Sequence, residues 1–144
     1  MAEVSDLVRD LLRDVPTEEV VNLNVGRFPE AVLLEAKVQE NKSGSFSVKL
    51  VFSDNGRTRF ASFQLPDADS HPMVNKKALD WQRALGLADS GVKRAYSVRG
   101  DTQDDRRIMA QKIVDAIQTA SEGKTVPYQT TEDGDFERHT PIRG

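Results

Sequence analysis

The sequence predicts a mainly antiparallel α+β domain, in which five strands form a small barrel or a twisted sheet beside two or three helices. Three observations support this fold class. Apolar and polar residues alternate in three consecutive segments between residues 31 and 65, helical periodicity appears at 73–86 and 104–119, and a last hairpin occupies 124–142. Together with a helix near the N-terminus, the predicted order is one helix, three strands, two helices and two strands.

An amphipathic helix is predicted near the N-terminus, from Ser5 to Val15. Ser5 is a suitable N-cap, and Pro16 ends the helix. Because so short a helix is marginal alone, its apolar side must dock on the domain, on a partner or on a second copy of the chain. Residues 1–27 are therefore predicted to be this helix and a linker, and residues 28–144 a single domain. The side expected to contact a partner contains Leu7, Leu11 and Leu12.

The central segments predict an antiparallel meander. In the first strand, Ala31 to Gln39, and in the second, Ser45 to Phe52, alternate residues are apolar. Asp54-Asn55-Gly56 is a strong signal for a tight hairpin turn, and the third strand follows from Arg57 to Leu65. These three strands are therefore expected to be neighbours in one sheet.

Two helices follow the meander. The first runs from Met73 to Gly86, and the second from Asp104 to Thr119, with Asp101 or Thr102 as its cap. Residues 88–102 between them show no helical periodicity and are expected to be irregular or strand-like. The predicted apolar side of the second helix consists of Ile108, Met109, Ile113, Ala116, Ile117 and Ala120.

Composition favours a protein of the cytoplasm, or of the host cytoplasm if it is viral. Of its 144 residues, 38% are hydrophobic and 30% charged, which supports one modest core. No apolar run reaches the roughly 20 residues that a membrane span needs. Glu3, Asp6 and Asp10 interrupt the basic-then-apolar layout of a secretion signal.

No residue set in the sequence predicts catalysis or metal binding. The absence of cysteine excludes disulfides, thiolate zinc sites and cysteine nucleophiles. His71 and His139 have no glutamate at metal-ligand spacing on a shared helix. Acidic residues at 101–105 and 132–135 suit a helix start and a hairpin tip, and the alternative is a magnesium-dependent nuclease. We therefore predict a protein without enzymatic activity, cofactor or metal.

The charge is segregated along the chain. Residues 42–99 carry ten basic and five acidic groups, whereas both flanking segments are acidic and the whole chain has a net charge of −3. A basic middle between acidic ends indicates either a binding site for a polyanion or ordinary scatter on a solvated surface.

Two stretches combine cations with aromatic rings, which is what binding of single-stranded nucleic acid requires. In the meander, alternation places Arg59 and Phe63 on one face and Phe60 on the other. Either Phe60 points inward, leaving Phe63 and Arg59 outside to stack on bases and bind phosphates, or Phe63 is core and Arg59 lies at the edge. The candidate residues in this stretch are Lys42, Lys49, Arg57, Arg59 and Phe63.

The second stretch runs from Val92 to Gly100. It reads either as a mobile loop that closes over a bound strand or as a solvated connector with its tyrosine half-buried. The candidate residues here are Lys93, Arg94, Tyr96 and Arg99.

The middle of the chain resembles a family of small phage single-stranded-DNA-binding proteins with an oligonucleotide-binding (OB) fold. The resemblance runs from Pro29-Glu30-Ala31 through LEAKVQENKSGSFSVKLVFSDNGRTRFASFQL and NKKALDWQRALGL to GKTVPYQTTEDGDFERHTPI, over roughly residues 28–142. It implies a single OB-like domain that binds single-stranded DNA in phage-type replication or recombination. The alternative is a structural or protein-interaction module, such as a virion or assembly component, that docks through its N-terminal helix.

Overall fold

The computed structural model describes residues 25–134 and 136–142, and within them the chain forms six strands and two helices. The predicted α+β class is confirmed. The helix predicted over residues 5–15 lies outside the described residues and stays a prediction. In chain order the elements are β1 (Gly26–Phe28), β2 (Val32–Glu40), β3 (Phe46–Asp54), β4 (Arg57–Leu65), α1 (Pro72–Ala84), α2 (Gln103–Ser121), β5 (Tyr128–Asp133) and β6 (Phe136–Pro141).

β2, β3 and β4 form the predicted antiparallel meander. A two-residue turn joins β3 to β4, and its residues Asn55 and Gly56 have positive φ angles of 51° and 84°. Positive φ at both positions is typical of a type I′ turn, which the Asn-Gly pair favours because it matches the twist of the flanking strands. The turn places Asp54 opposite Arg57 and thereby sets the register of every later pair.

One face of this meander is buried. Apolar side chains of β3 alternate onto that face, and the register extends the alternation to β4. Phe63 is therefore only 5% exposed, and its ring stacks on Trp81 with 5.9 Å between centroids. The orientation that would turn Phe63 outward is wrong, because it would also expose the other apolar residues of β4. The buried face contains Leu33, Ala36, Phe46, Val48, Leu50, Phe52, Ala61, Phe63 and Leu65.

A second antiparallel sheet has the strand order β1–β5–β6. The sequence did not predict β1, which is too short for an alternation to be visible. The segment before β5 is joined to β2 by a bridge between Val32 and Thr125 and by a hydrogen bond from the Leu33 amide to the Lys124 carbonyl (3.0 Å). On the opposite side β6 lies beside β4 without pairing to it.

Trp81 of α1 lies between β4 and β6 and contacts both strands. Its buried ring stacks on Phe63 of β4, and its indole nitrogen donates a hydrogen bond to the His139 carbonyl of β6 (3.1 Å). One backbone acceptor at the edge of β6 therefore binds a side chain instead of a strand. In the described part of the chain the strands form two three-stranded sheets and no closed barrel.

Both helices begin at capping side chains. Nδ1 of His71 accepts a hydrogen bond from the Met73 amide (3.1 Å) at the start of α1. At the start of α2, the hydroxyl of Thr102 accepts one from the Asp105 amide (3.0 Å), so Thr102 is the cap. Within the described part of the chain, neither helix has the length and apolar content to span a membrane.

The buried side of α2 is rotated relative to the predicted stripe, since Ile108 is exposed. Gln118 anchors the helix to β2. Its carboxamide accepts a hydrogen bond from the Ala36 amide (2.7 Å) and donates one to the Leu34 carbonyl (3.2 Å). This contact with β2 selects the side of α2 that faces the sheet. The periodicity of apolar residues along the helix cannot reveal it. The buried residues of α2 are Ala110, Ile113, Val114, Ile117 and Ser121.

Candidate functional site

The outward face of the β2–β3–β4 sheet, named the open face below, combines cations and an aromatic ring on a flat surface. None of its side chains is fully buried, and most of the residues around the cations and the ring are small or polar. The residues of the open face are Glu35, Lys37, Gln39, Ser47, Lys49, Val51, Ser53, Thr58, Phe60, Ser62 and Gln64.

Two lysines face each other at the centre of the open face. Lys37 of β2 is directly opposite Lys49 of β3 in the strand register. Like charges opposite each other destabilise a sheet, and here the nearest carboxylate relieves this only in part. Glu35 lies 3.6 Å from the Lys37 ammonium, and both side chains are more than half exposed, so water screens the pair. The centre of the open face is thus a place where an anion would be stabilising.

Phe60 supplies the aromatic surface beside these lysines. Its side chain is 45% exposed, and the Lys49 ammonium lies 4.9 Å from the centre of its ring. A cation at this distance is attracted to the ring face. Thr58 and Ser62, its neighbours on the same face of β4, are too small to cover the ring.

Arg59, by contrast, belongs to the buried side of the sheet. Its Nε lies 2.8 Å from the Asp54 carboxylate, and these two side chains are only 12% and 11% exposed. The guanidinium carbon also lies 4.0 Å from the ring centre of Phe28, so the arginine ties β1 to β4. Neither Arg59 nor Phe63 is therefore available for the phosphate and stacking contacts that the sequence proposed for them.

Lys42 and Arg57 are exposed at opposite ends of the meander. Lys42 lies in the turn between β2 and β3, which is closed by a hydrogen bond from the Asn41 amide to the Ser45 carbonyl (2.8 Å). Arg57 begins β4 at the other end. The nine residues of β4 put roughly 27 Å between these ends, so the two cations flank the open face instead of meeting on it.

The segment from Val92 to Gly100 is fastened to α1, which argues against a mobile loop. The Gln82 carboxamide accepts a hydrogen bond from the Tyr96 amide (2.7 Å) and donates one to the Tyr96 carbonyl (3.1 Å). Arg83 donates to the Val92 carbonyl (2.6 Å). The backbone of this connector is consequently held in place although several of its side chains are exposed.

The four candidate residues of this connector do not lie on the open face. Tyr96 is half-exposed, and Lys93 is exposed. Arg94 and Arg99 line a hollow together with Asp67, and Arg99 also borders a hollow that reaches Gln64 at the end of β4. Only Arg99 therefore approaches the open face, and the expected convergence of all the cations on one groove does not occur.

Sequence reasoning missed Lys37 and set Phe60 aside. The two-residue turn identifies Phe60, since it places Phe60 opposite Val51, on the face away from the buried residues Phe46, Val48, Leu50 and Phe52 of β3. Lys37 follows from the same alternation in β2, between the inward side chains of Ala36 and Val38.

Several titratable residues outside the open face have structural partners. Nδ1 of His139 lies 2.8 Å from the Thr130 hydroxyl, and burial lowers the pKa of His139 although Glu137 opposes this shift. Asp104 at the start of α2 pairs with Arg107, which also binds Glu40 of β2. Within the described residues, no group of three or more histidine, aspartate or glutamate side chains is arranged to hold a metal ion.

No family model, curated protein or solved structure matches this chain. The functional conclusion accordingly depends on the residues of the open face.

Proposed function

We propose that the protein binds single-stranded DNA on its open face, with little preference for sequence. The observation that carries this proposal is the cross-strand pair Lys37–Lys49 beside the exposed ring of Phe60. Proteins that bind single strands in this way combine cations that follow the phosphates with aromatic rings on which bases stack.

Electrostatics supports the binding of phosphate between the two lysines. In the free protein their ammonium groups repel each other across neighbouring strands. A phosphate near Lys37 and Lys49 would replace that repulsion with two attractive contacts and release counterions from the nucleic acid. Binding is thus expected to weaken steeply as the salt concentration rises.

Stacking supports the binding of a base on Phe60. The ring is accessible. The Lys49 ammonium lies above part of it, so this cation is within reach of the phosphates next to the stacked base. Every base has a flat π surface, so this contact does not depend on sequence.

We further propose that the two sheets are the halves of a partly open OB-like barrel. In such five-stranded barrels the second and third strands carry the nucleic-acid-binding face, and these correspond to β3 and β4 when the short β1 is left out of the count. The Val32–Thr125 bridge on one side and the neighbouring strands β4 and β6 on the other support this arrangement. With the family resemblance, it favours DNA and a role in phage-type replication or recombination.

Fluorescence anisotropy with labelled oligonucleotides tests the proposal. The wild-type protein is titrated with oligo(dT) and with RNA of matching length at several salt concentrations. Phe60→Ala should weaken binding by about 5- to 150-fold, because one stacked base contributes roughly 1–3 kcal/mol. The double variant Lys37→Gln/Lys49→Gln should reduce the slope of log K against log salt concentration by about 0.7, because the two lysines together bind one phosphate.

Two variants serve as matched controls. Lys112 is an exposed lysine on α2, which packs on the other side of the sheet, so Lys112→Gln should leave the affinity unchanged. Phe60→Trp keeps a stacking surface and should bind as well as the wild type. The proposal fails if no oligonucleotide binds at low salt, or if Lys112→Gln weakens binding as much as the double variant. Tighter binding of the RNA would change the assigned ligand from DNA to RNA.

A further inference from the structure

A cleft separates the facing edges of the two sheets. β4 is the last strand of one sheet and β6 the last strand of the other, and α1 borders the gap between them. The cleft has a volume of about 420 Å³, within the range of small-ligand sites. Its walls are formed by Ser62, Phe63 and Gln64 of β4, by Val74, Lys77 and Trp81 of α1, and by Phe136, Glu137, Arg138 and His139 of β6.

The floor of this cleft is aromatic and fixed. The rings of Phe63 and Trp81 are nearly parallel, with an angle of 7° between their planes. The only polar atom of the indole already donates to the His139 carbonyl. Both rings are almost fully buried, so the floor is closely packed and apolar, and the aromatic surface that a ligand in the cleft can contact is the ring of Phe136 at the rim.

The rim of the cleft is cationic and carries one unusually exposed ring. Phe136 is 78% exposed at the start of β6. Lys77 on α1 and Arg138 on β6 are both exposed at the rim. Among the described residues that line the cleft, the one carboxylate is that of Glu137, which lies 3.8 Å from Nε2 of His139. The described lining residues thus combine a stacking surface with two cations and one carboxylate, much as the open face does.

The cleft and the open face share strand β4. Ser62 lines the cleft and is also the cross-strand neighbour of Lys49. Neighbouring strands in a sheet are about 4.8 Å apart, so a ligand on Lys49 lies one strand away from the mouth of the cleft. A chain molecule that crosses the open face towards β4 would therefore reach the cleft next.

We propose that the cleft holds one base of the strand that is bound on the open face. The base packs against Phe136 above the Phe63–Trp81 floor, and Lys77 and Arg138 bind the phosphates on either side of it. This inference rests on the proposed function and adds a second stacking position, on a different sheet, to the path of the bound strand.

Photo-crosslinking tests the path directly. Oligonucleotides of increasing length, each with a single 5-iododeoxyuridine, are irradiated in complex with the full chain, and the modified residues are mapped by mass spectrometry. In a set of long oligonucleotides that differ only in the position of the 5-iododeoxyuridine, some positions should crosslink to Phe60 and others to Phe136. Phe136→Ala should weaken binding of long oligonucleotides by about 5- to 150-fold and leave the shortest bound ones unaffected.

Control variants show whether weaker binding by Phe136→Ala reflects a lost contact with DNA or a loss of folding. Because Phe136 is mostly exposed, Phe136→Ala should leave the unfolding midpoint unchanged, and Phe136→Trp should retain wild-type affinity. Ile108→Ala removes an exposed apolar side chain from α2 and should change nothing. Crosslinks at Phe60 alone, with unchanged affinity of Phe136→Ala, would overturn the proposal that the cleft binds a base. The proposal that the open face binds DNA would still stand. Absence of binding to any oligonucleotide would overturn both proposals.

Discussion

The two faces of the β2–β3–β4 sheet use similar residues for different purposes. Phe63 and Arg59 on the buried face pack on Trp81 and pair with Asp54, whereas Phe60 and Lys49 on the open face contact each other at the surface. All but one of these residues belong to β3 or β4. Residue type alone therefore does not identify a binding residue, because the face of the strand decides whether a ring or a cation stabilises the fold or remains available to a ligand.

The largest expected effect separates the two phenylalanines of β4. Phe63→Ala should lower the free energy of unfolding by about 3–5 kcal/mol, since it leaves a cavity beside Trp81. Phe60→Ala should cost much less, about 1 kcal/mol or below, because the ring lies on the open face and is 45% exposed. Denaturant unfolding of both variants measures the difference. Equal losses of stability would show that the faces are wrongly assigned.

The two cations give the next largest effect. Arg59→Gln should lower the free energy of unfolding by about 3 kcal/mol, because it leaves the Asp54 carboxylate buried without its partner. Lys49→Gln should change stability by less than ~0.5 kcal/mol, since Lys49 is exposed. Arg59→Lys is the control that keeps the charge and loses the planar guanidinium, so it should fall between Arg59→Gln and the wild type. If the Arg59→Gln protein were as stable as the wild type but no longer bound DNA, Arg59 would have to be assigned to the binding site instead.

The smallest expected effect is on the pH dependence of the free energy of unfolding. It tests whether the buried side of the molecule includes His139 on β6. Burial holds the pKa of His139 below its ordinary value of 6.5. As the pH falls below 6.5, the unfolded chain takes up a proton that the folded chain does not, so stability is lost until the folded pKa is passed.

Unfolding of the wild type and of His139→Gln between pH 8 and pH 5 measures this contribution. The variant should lack part of the pH dependence, while its backbone carbonyl can still accept from Trp81. Identical pH profiles would mean that His139 is not buried in solution.

Several features of the fold and of the open face follow from local sequence. The alternation in β2 and β3 and the Asn55-Gly56 turn predict the meander, because side chains in a strand alternate with a period of two and a two-residue turn sets the register. Placing Asp54 opposite Arg57 is enough to turn Phe63 inward with the apolar residues of β3 and to turn Phe60 outward. That inference was within reach of the sequence.

Other features were decided only by contacts between distant residues. Gln118 orients α2 on β2, Gln82 fastens the connector at Tyr96 to α1, and Trp81 lies between β4 and β6. Periodicity reports which side of an element is apolar, but it carries no information about which remote side chain will meet that element. The sequence alone thus determined the elements and the pairing of the meander, whereas tertiary packing decided that the strands form two sheets with a cleft between them.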